Sequence, residues 1–510
     1  MQSTVAARTS AGHEQSVFRL TCLVAFFVAA HILLFGAPSV NLEFAFSDAA
    51  KYFSNGDPQY LEQYFHYEAN TLAVPWLAYA IHWLFPGLDI DHIPRLLSIF
   101  GIPFLAYGLL RINRQFAQRI NPYILVSVVL LNPLVWAFAG RGTADFLPAA
   151  LAVFAFSLFG DNAEEAEQGL GRRALASVVL GISAVIKYHA IILLAGVVAE
   201  VVIRRRTQYG RILLECAVSA LPAALVVAAY LLIVKFTFGF WLTPPRFQQM
   251  HGLNLAAAPD NFISYAGFLI LITVPLSLAI LRARPIEFHL RSGAALLLVS
   301  AAFVAGYFFL SDNGEMNLGP LDPYIDKHLL NGALAALACI FAIRLAIGVE
   351  RSISSGNDLA RACGLATGII VFMLALSLTR PAQRYLLFIV PLFYFFIFPV
   401  RKHSHLLLAF TIALSIVLDV YILLNQTAFG IASERMAQRI AALGLTSKTV
   451  PGAIEGNVGD LFFQYRNDEK TFMVVPGDVA GNIAMVHYSV LPGLPFIGKT
   501  YSLVPLRPSH

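Results

Sequence analysis

Between Phe46 and Trp76 the chain gathers side chains suited to work on a sugar. Asp48, Lys51, Asp57, His66 and Glu68 alternate with Tyr52, Tyr64 and Trp76. A positioned carboxylate can take or steady the proton of a hydroxyl, and the aromatic rings suit stacking on a sugar face. The same composition also fits a loop lying on lipid headgroups, where Tyr and Trp form an interfacial belt. Three further stretches carry charge into apolar surroundings. Asp145 follows Gly140-Arg141-Gly142-Thr143, Lys187-Tyr188-His189 interrupts an apolar run, and Arg380-Pro381-Ala382-Gln383-Arg384-Tyr385 precedes another. An ionisable residue at membrane depth is costly, so it tends to be functional or paired; a lone helix-end arginine such as Arg141 reads as a snorkelling anchor. Taken together, Lys187, Arg380 and Arg384 offer cations, with acids in the loops above them. That distribution suits holding an anionic lipid phosphate in the membrane plane while an acid acts on a sugar hydroxyl. Arginine grips phosphate in a bidentate fashion, lysine adds a point charge, and both stabilise charge developing on a phosphate leaving group.

The elements that must position these residues follow from composition. Of 510 residues, 58% are hydrophobic and 13% charged, with a mean hydropathy of +0.69. A soluble domain carries roughly 25% charged residues, which excludes a water-soluble enzyme of this length. Long unbroken apolar runs exclude a spanning β-barrel, whose strands alternate apolar and polar residues. Cys22, Cys216, Cys339 and Cys363 each lie in an apolar run, so neither a disulfide framework nor a CxxC site is present.

The expected fold is an all-α polytopic membrane protein of about thirteen transmembrane helices, with the pair flanking Lys187 readable as one kinked segment. Basic residues collect in alternate loops: Arg111, Arg114 and Arg119; Arg172 and Arg173; Arg204, Arg205, Arg206 and Arg211; Arg351 and Arg361. The positive-inside rule makes these turns and the N-terminus cytoplasmic, and an odd number of spans puts the C-terminus outside. Residues 1–425 form the membrane domain, with a first outer loop at 38–92 that lies on the membrane and contains an interfacial helix near 71–86. Residues 426–510 form a small α/β extracytoplasmic domain with a helical start at Ser433 to Leu443 and a β-like run at Thr471 to Val475. The first span has no cleavage site after Phe35 and reads as retained.

In order and spacing, these motifs resemble the integral-membrane glycosyltransferases of the GT-C superfamily. The resembling branch holds the lipid A aminoarabinose transferase, lipopolysaccharide galacturonosyltransferases and protein O-mannosyltransferases. The likeness spans roughly residues 18–400. It rests on Ser47-Asp48-Ala49 soon after the first span, then Pro75-Trp76-Leu77-Ala78-Tyr79, then Ile93-Pro94-Arg95-Leu96-Leu97. It continues with Asn132-Pro133-Leu134 followed by Asp145, with Gly181 to Lys187, and with Arg384-Tyr385-Leu386-Leu387 before Pro391. The family's acidic motif is often two adjacent carboxylates, whereas here Ala49 follows Asp48.

The resemblance implies an inverting transfer of a sugar from a polyprenyl-phosphate donor to a cell-envelope acceptor, on the outer face of a cell membrane such as the bacterial inner membrane. Asp48 is the expected general base, or the group that orients the acceptor. Lys187, Arg384 and Arg380 are expected on the lipid phosphate, with Arg95 and Lys51 as further candidates. Asp145, Glu68, His66, Tyr52, Tyr64 and Trp76 are expected on the sugar or acceptor. A divalent metal stays open: the lone acid at Asp48 argues against a site of paired carboxylates, while Asp57, His66 and Glu68 could supply ligands. No nucleic-acid partner is expected. Two alternatives stand beside this reading, a transporter or flippase for a lipid-linked or anionic substrate and a glycan ligase or polymerase.

Overall fold

A computed structural model describes residues 2–34, 71–90, 92–116, 119–160, 169–239, 253–274, 276–277, 326–354, 359–379, 382–398, 405–445, 472–478, 480–490 and 498–505, with the isolated positions 241 and 304. The helices in chain order are α1 (Gln2–Leu34), α2 (Ala73–Leu84), α3 (Ile93–Arg114), α4 (Pro122–Leu130), α5 (Pro133–Ala139), α6 (Phe146–Phe159), α7 (Gly169–Ile186), α8 (Leu194–Arg204) and α9 (Tyr209–Phe238). They continue with α10 (Ala258–Leu271), α11 (Lys327–Ser354), α12 (Leu359–Ser377), α13 (Val390–Ile397) and α14 (His405–Ala442). Two 3₁₀ segments, Tyr188–Leu193 and Gln383–Phe388, interrupt the series.

Among the described residues, seven helices are long and apolar enough to cross a membrane, or eight if α4 and α5 form one span. The chain is thus a multi-pass membrane protein. The expected count of about thirteen is not confirmed among the described residues, where several apolar runs fold as short or broken helices. Residues 122–139 become α4 and α5, bent by 69°. Residues 385–398 become the end of a 3₁₀ segment followed by the eight-residue α13. The run at 293–310 lies outside the described residues.

The bend between α4 and α5 has a local cause. Asn132 and Pro133 start a new helix, the Asn132 side chain accepting from the Leu134 amide at 3.1 Å with proline at the first turn. The other end of that amide donates to the Ile272 carbonyl at 2.8 Å and the Tyr394 hydroxyl at 3.1 Å, tying the break to two distant elements.

The core packs α3 on α6, α7 on α9, α8 on α12 and α10 on α11. Without a hydrophobic drive between helices in lipid, close approach of small residues carries such packing. At α8–α12, a Cβ on Gly196 would fall 2.5 Å from the Gly364 carbonyl oxygen, so only glycine fits. Leu213, Leu225 and Phe236 on α9, and Phe410 and Val417 on α14, are exposed and face outward.

The C-terminal part is a three-stranded antiparallel sheet in the order β1 (Phe472–Pro476), β3 (Gly498–Pro505), β2 (Ala484–Ser489). It buries Val474, Ala484, Tyr501 and Leu503 against Ala432, Met436 and Ile440. Those three residues belong to α14, which runs unbroken through position 426. The last membrane run and the helical start at Ser433 are therefore one helix.

Candidate active site

Two helix breaks build the site. At the end of α7, Lys187 adopts an extended conformation (φ −149°, ψ 109°) before the first 3₁₀ segment. Ala382 does the same (φ −142°, ψ 108°) before the second. An extended residue ends the helical ladder and lets the next side chains turn away from the helix they follow. Several contacts hold both breaks in place. Ser183 donates to the Pro148 carbonyl at 2.7 Å, joining α7 to α6 one turn before Lys187. Tyr265 on α10 accepts from the Ala382 amide at 2.8 Å. Asn261 donates to the Ser377 and Thr379 carbonyls at 2.9 and 3.1 Å, capping the end of α12.

Asp145 stands between these breaks, in the turn that opens α6, and is 2% exposed. Its Oδ1 lies 3.1 Å from Lys187 Nζ and its Oδ2 3.9 Å from Arg384 Nε. Lys187 is buried, whereas the Arg384 side chain is 43% exposed at the mouth of the cluster. The Tyr385 ring forms a wall, with Lys187 Nζ 5.2 Å and Arg384 Cζ 5.7 Å from its centroid and His189 stacked on it at 4.3 Å. Burial alone would raise the Asp145 pKa. The charges of Lys187, then Arg384, then Arg141 outweigh it and hold the group at about 2. Among the described residues, Asp145 thus sits beside Lys187 and Arg384 and within reach of the charge of Arg141, with Arg384 on the exposed side.

The residues that lead into α2 are anchored here as well. Thr71 donates to the Ile186 carbonyl at 3.0 Å, one residue before Lys187, and the Leu72 amide donates to the Tyr230 hydroxyl at 2.9 Å. Trp76 on α2 meets Tyr230 edge-on at 5.9 Å, and Tyr230 lies 6.5 Å from Tyr188. Arg95 is buried in the first turn of α3. From the same helix, Ser98 donates to the Thr143 carbonyl at 3.3 Å, bracing the turn that carries Asp145.

Of the residues singled out from sequence, the structure brings Asp145, Lys187 and Arg384 together, and Trp76 stands beside the Lys187 break through Tyr230. Asp48, Lys51, Tyr52, Tyr64, His66, Glu68 and Arg380 lie outside the described residues. Arg141, read from sequence as an anchor, adds its charge to the cluster. Tyr385 and His189 carried no assigned role, and adjacency to the two cations was their signal. Among the described residues no group of three or more His, Cys, Asp or Glu is gathered.

A second ionic assembly occupies the other end of α6. Glu200 on α8 accepts from Arg361 Nη1 at 2.6 Å and also from Arg204. Arg361 reaches the Phe156 carbonyl at 3.0 Å. Glu215 on α9 accepts from Arg205 at 2.9 Å and faces Arg173 at 3.4 Å. Arg173 and Arg361 are buried. Sequence placed both in basic turns; here they join α7, α8, α9 and α12 through carboxylates.

No protein-family model matches this chain, and no curated protein matches it. Among solved structures it is similar to ArnT from Cupriavidus metallidurans in the apo state, at 15% identity over 94% of this chain and 98% of that one, TM-score 0.44. The same protein bound to undecaprenyl phosphate gives 15% identity over the same shares, TM-score 0.42. The archaeal oligosaccharyltransferase AglB from Archaeoglobus fulgidus, in complex with an inhibitory peptide and a dolichol-phosphate, gives 13% identity over 89% of this chain and 61% of that one, TM-score 0.42. ArnT and AglB are both GT-C superfamily members. Likenesses at these scores assign no residue its role, so the cluster of Asp145, Lys187 and Arg384 has to be read from its own chemistry.

Proposed function

We propose that this chain is a membrane glycosyltransferase that takes a sugar from a polyprenyl-phosphate donor and passes it to a cell-envelope acceptor. The observation that carries the reading is the grouping of Lys187 and Arg384 on buried Asp145, with Arg384 on the exposed side. An anionic phosphate diester fits that mouth. Arg384 supplies a planar fork for two phosphate oxygens and Lys187 a fixed point charge behind it. Both oxygens of Asp145 face cations, so this residue positions them, alongside the sugar or acceptor contact expected of it.

In the proposed step the acceptor hydroxyl attacks the anomeric carbon, and the bond from that carbon to the phosphate oxygen breaks. The hydroxyl proton passes to Asp48, and a polyprenyl phosphate leaves carrying the added negative charge. The transition state has oxocarbenium character, and attack opposite the leaving group inverts the centre. Lys187 and Arg384, with Arg380 beside them in sequence, stabilise the charge that develops on the leaving phosphate. Arg95 and Lys51 are further phosphate contacts in this reading. Glu68, His66, Tyr52, Tyr64 and Trp76 hold the sugar or the acceptor.

The lipid retained on mild purification tests the donor. A polyprenyl phosphate is expected to copurify with the wild-type chain and to be depleted in Arg384→Gln. Its absence from the wild-type protein, or equal retention by the variant, contradicts the assignment.

A further inference from the structure

The outward face of α3 carries a graded stripe. Phe100, Phe104, Tyr107, Arg111 and Arg114 follow one another at helical spacings of four, three, four and three residues, which places them on one side of the helix. Phe100 and Tyr107 are 60% and 52% exposed, and Phe154 of α6 backs the stripe, 5.5 Å from Phe104 and 5.7 Å from Tyr107. At the far end a groove opens, lined by Tyr107, Leu110, Arg111, Arg114 and Gln115.

That groove has a fixed floor. Arg111 Nε donates to the Ser157 carbonyl at 3.2 Å, which orients its guanidinium and leaves its two terminal nitrogens for another partner. Gln115 donates to the same carbonyl at 2.7 Å and lies where Gly160 has no side chain; a Cβ there would fall 2.5 Å from the Gln115 amide. Arg172 reaches the Gly160 carbonyl at 3.5 Å, bringing a third cation to this end. Arg114 is exposed and makes no ion pair among the described residues.

We propose that this stripe binds one anionic phospholipid lengthwise, its acyl chains along Phe100 and Phe104 and its headgroup phosphate on Arg111 and Arg114. The length fits: fourteen residues of helix from Phe100 to Arg114 rise about 21 Å, more than half of a bilayer of about 40 Å. Chemical character changes along that length in the order of a lipid molecule, from apolar aromatic, through a tyrosine at interfacial depth, to guanidinium. Basic pockets at the membrane surface select anionic headgroups on the same grounds.

The stripe is separate from the site around Asp145. Asp145 opens α6 and Ser157 lies near its end, so roughly 18 Å of helix divides the two. The lipid bound here belongs to the leaflet opposite the proposed reaction.

Native mass spectrometry of the full chain, released from nanodiscs of equal phosphatidylglycerol and phosphatidylcholine, tests the proposal. The wild-type chain is expected to retain phosphatidylglycerol preferentially. Arg114→Gln, which leaves the Arg111 bond to Ser157 intact, is expected to lower that preference about fivefold, and Arg111→Gln with Arg114→Gln to abolish it, at about fivefold per charge. Arg211→Gln, on exposed α9 surface, serves as the charge control and is expected to change nothing. Equal retention of the two lipids by the wild-type chain overturns the proposal. So does an unchanged preference in Arg114→Gln, or a preference erased by millimolar inorganic phosphate, which would make the groove a simple anion site.

Discussion

Of the two cations beside Asp145, Lys187 is buried and Arg384 is exposed, and their loss is not equivalent in consequence. Removing one member of a buried pair strands the other, at a cost of about 3–5 kcal/mol. Lys187→Ala leaves Asp145 with Arg384 at 3.9 Å, and a lower melting temperature in detergent is expected together with lost donor binding. Arg384 is nearly half exposed, and exposed ion pairs contribute at most about 1 kcal/mol. Arg384→Gln is therefore expected to weaken donor binding with the melting temperature close to wild type, which separates phosphate binding from folding. Acid provides a second check. Asp145 titrates at about 2 in the folded chain against 3.8 for the free group, so the unfolded chain takes up the proton first as pH falls. The stability this group contributes is present above its free value of 3.8 and drains away as pH falls toward about 2. Asp145→Asn is expected to lack that loss, as read by denaturation midpoints across the same window.

At the scale of elements, the breaks decide what reaches the site. The cluster was legible because Lys187 and Arg384 interrupt apolar runs, and interruption survives as an extended residue and a 3₁₀ turn. Asn132-Pro133 was legible for the same reason. What sequence does not display is partnership. Arg173 and Arg361 look like solvated turn residues until Glu215 and Glu200, distant in the chain, are found against them. Whether an apolar run of sixteen to eighteen residues stays straight is not legible either: residues 122–139 read as one helix and fold as two, bent by 69°. The seam between α8 and α12 gives an element-scale test. Gly196→Ala forces a Cβ to 2.5 Å from the Gly364 carbonyl oxygen, and overpacking of that kind costs roughly 1–3 kcal/mol. A lower thermal midpoint is expected, whereas an unchanged midpoint would mean that the two helices are free to separate there.

Over the whole molecule, charge is sorted to the two ends of α6. One end, among the described residues, gathers Lys187 and Arg384 on Asp145, with Arg384 exposed. At the other, arginines are neutralised by Glu200 and Glu215 and tie helices together. The sheet adds a third unit, seated on α14 by Tyr501 and Leu503. Leu503→Asp places an unpaired charge in that contact, and increased protease cleavage beyond α14 is expected. In the proposed reaction the end around Asp145, Lys187 and Arg384 transfers a sugar from a lipid phosphate. A transfer assay in proteoliposomes, with polyprenyl-phosphate sugars as donors and envelope extracts as acceptors, tests it most directly. Covalent product from the wild-type chain and its loss in both Asp48→Asn and Arg384→Gln is the expected result. Near wild-type turnover in both variants, or movement of the lipid-linked sugar across the bilayer with no covalent product, would contradict it.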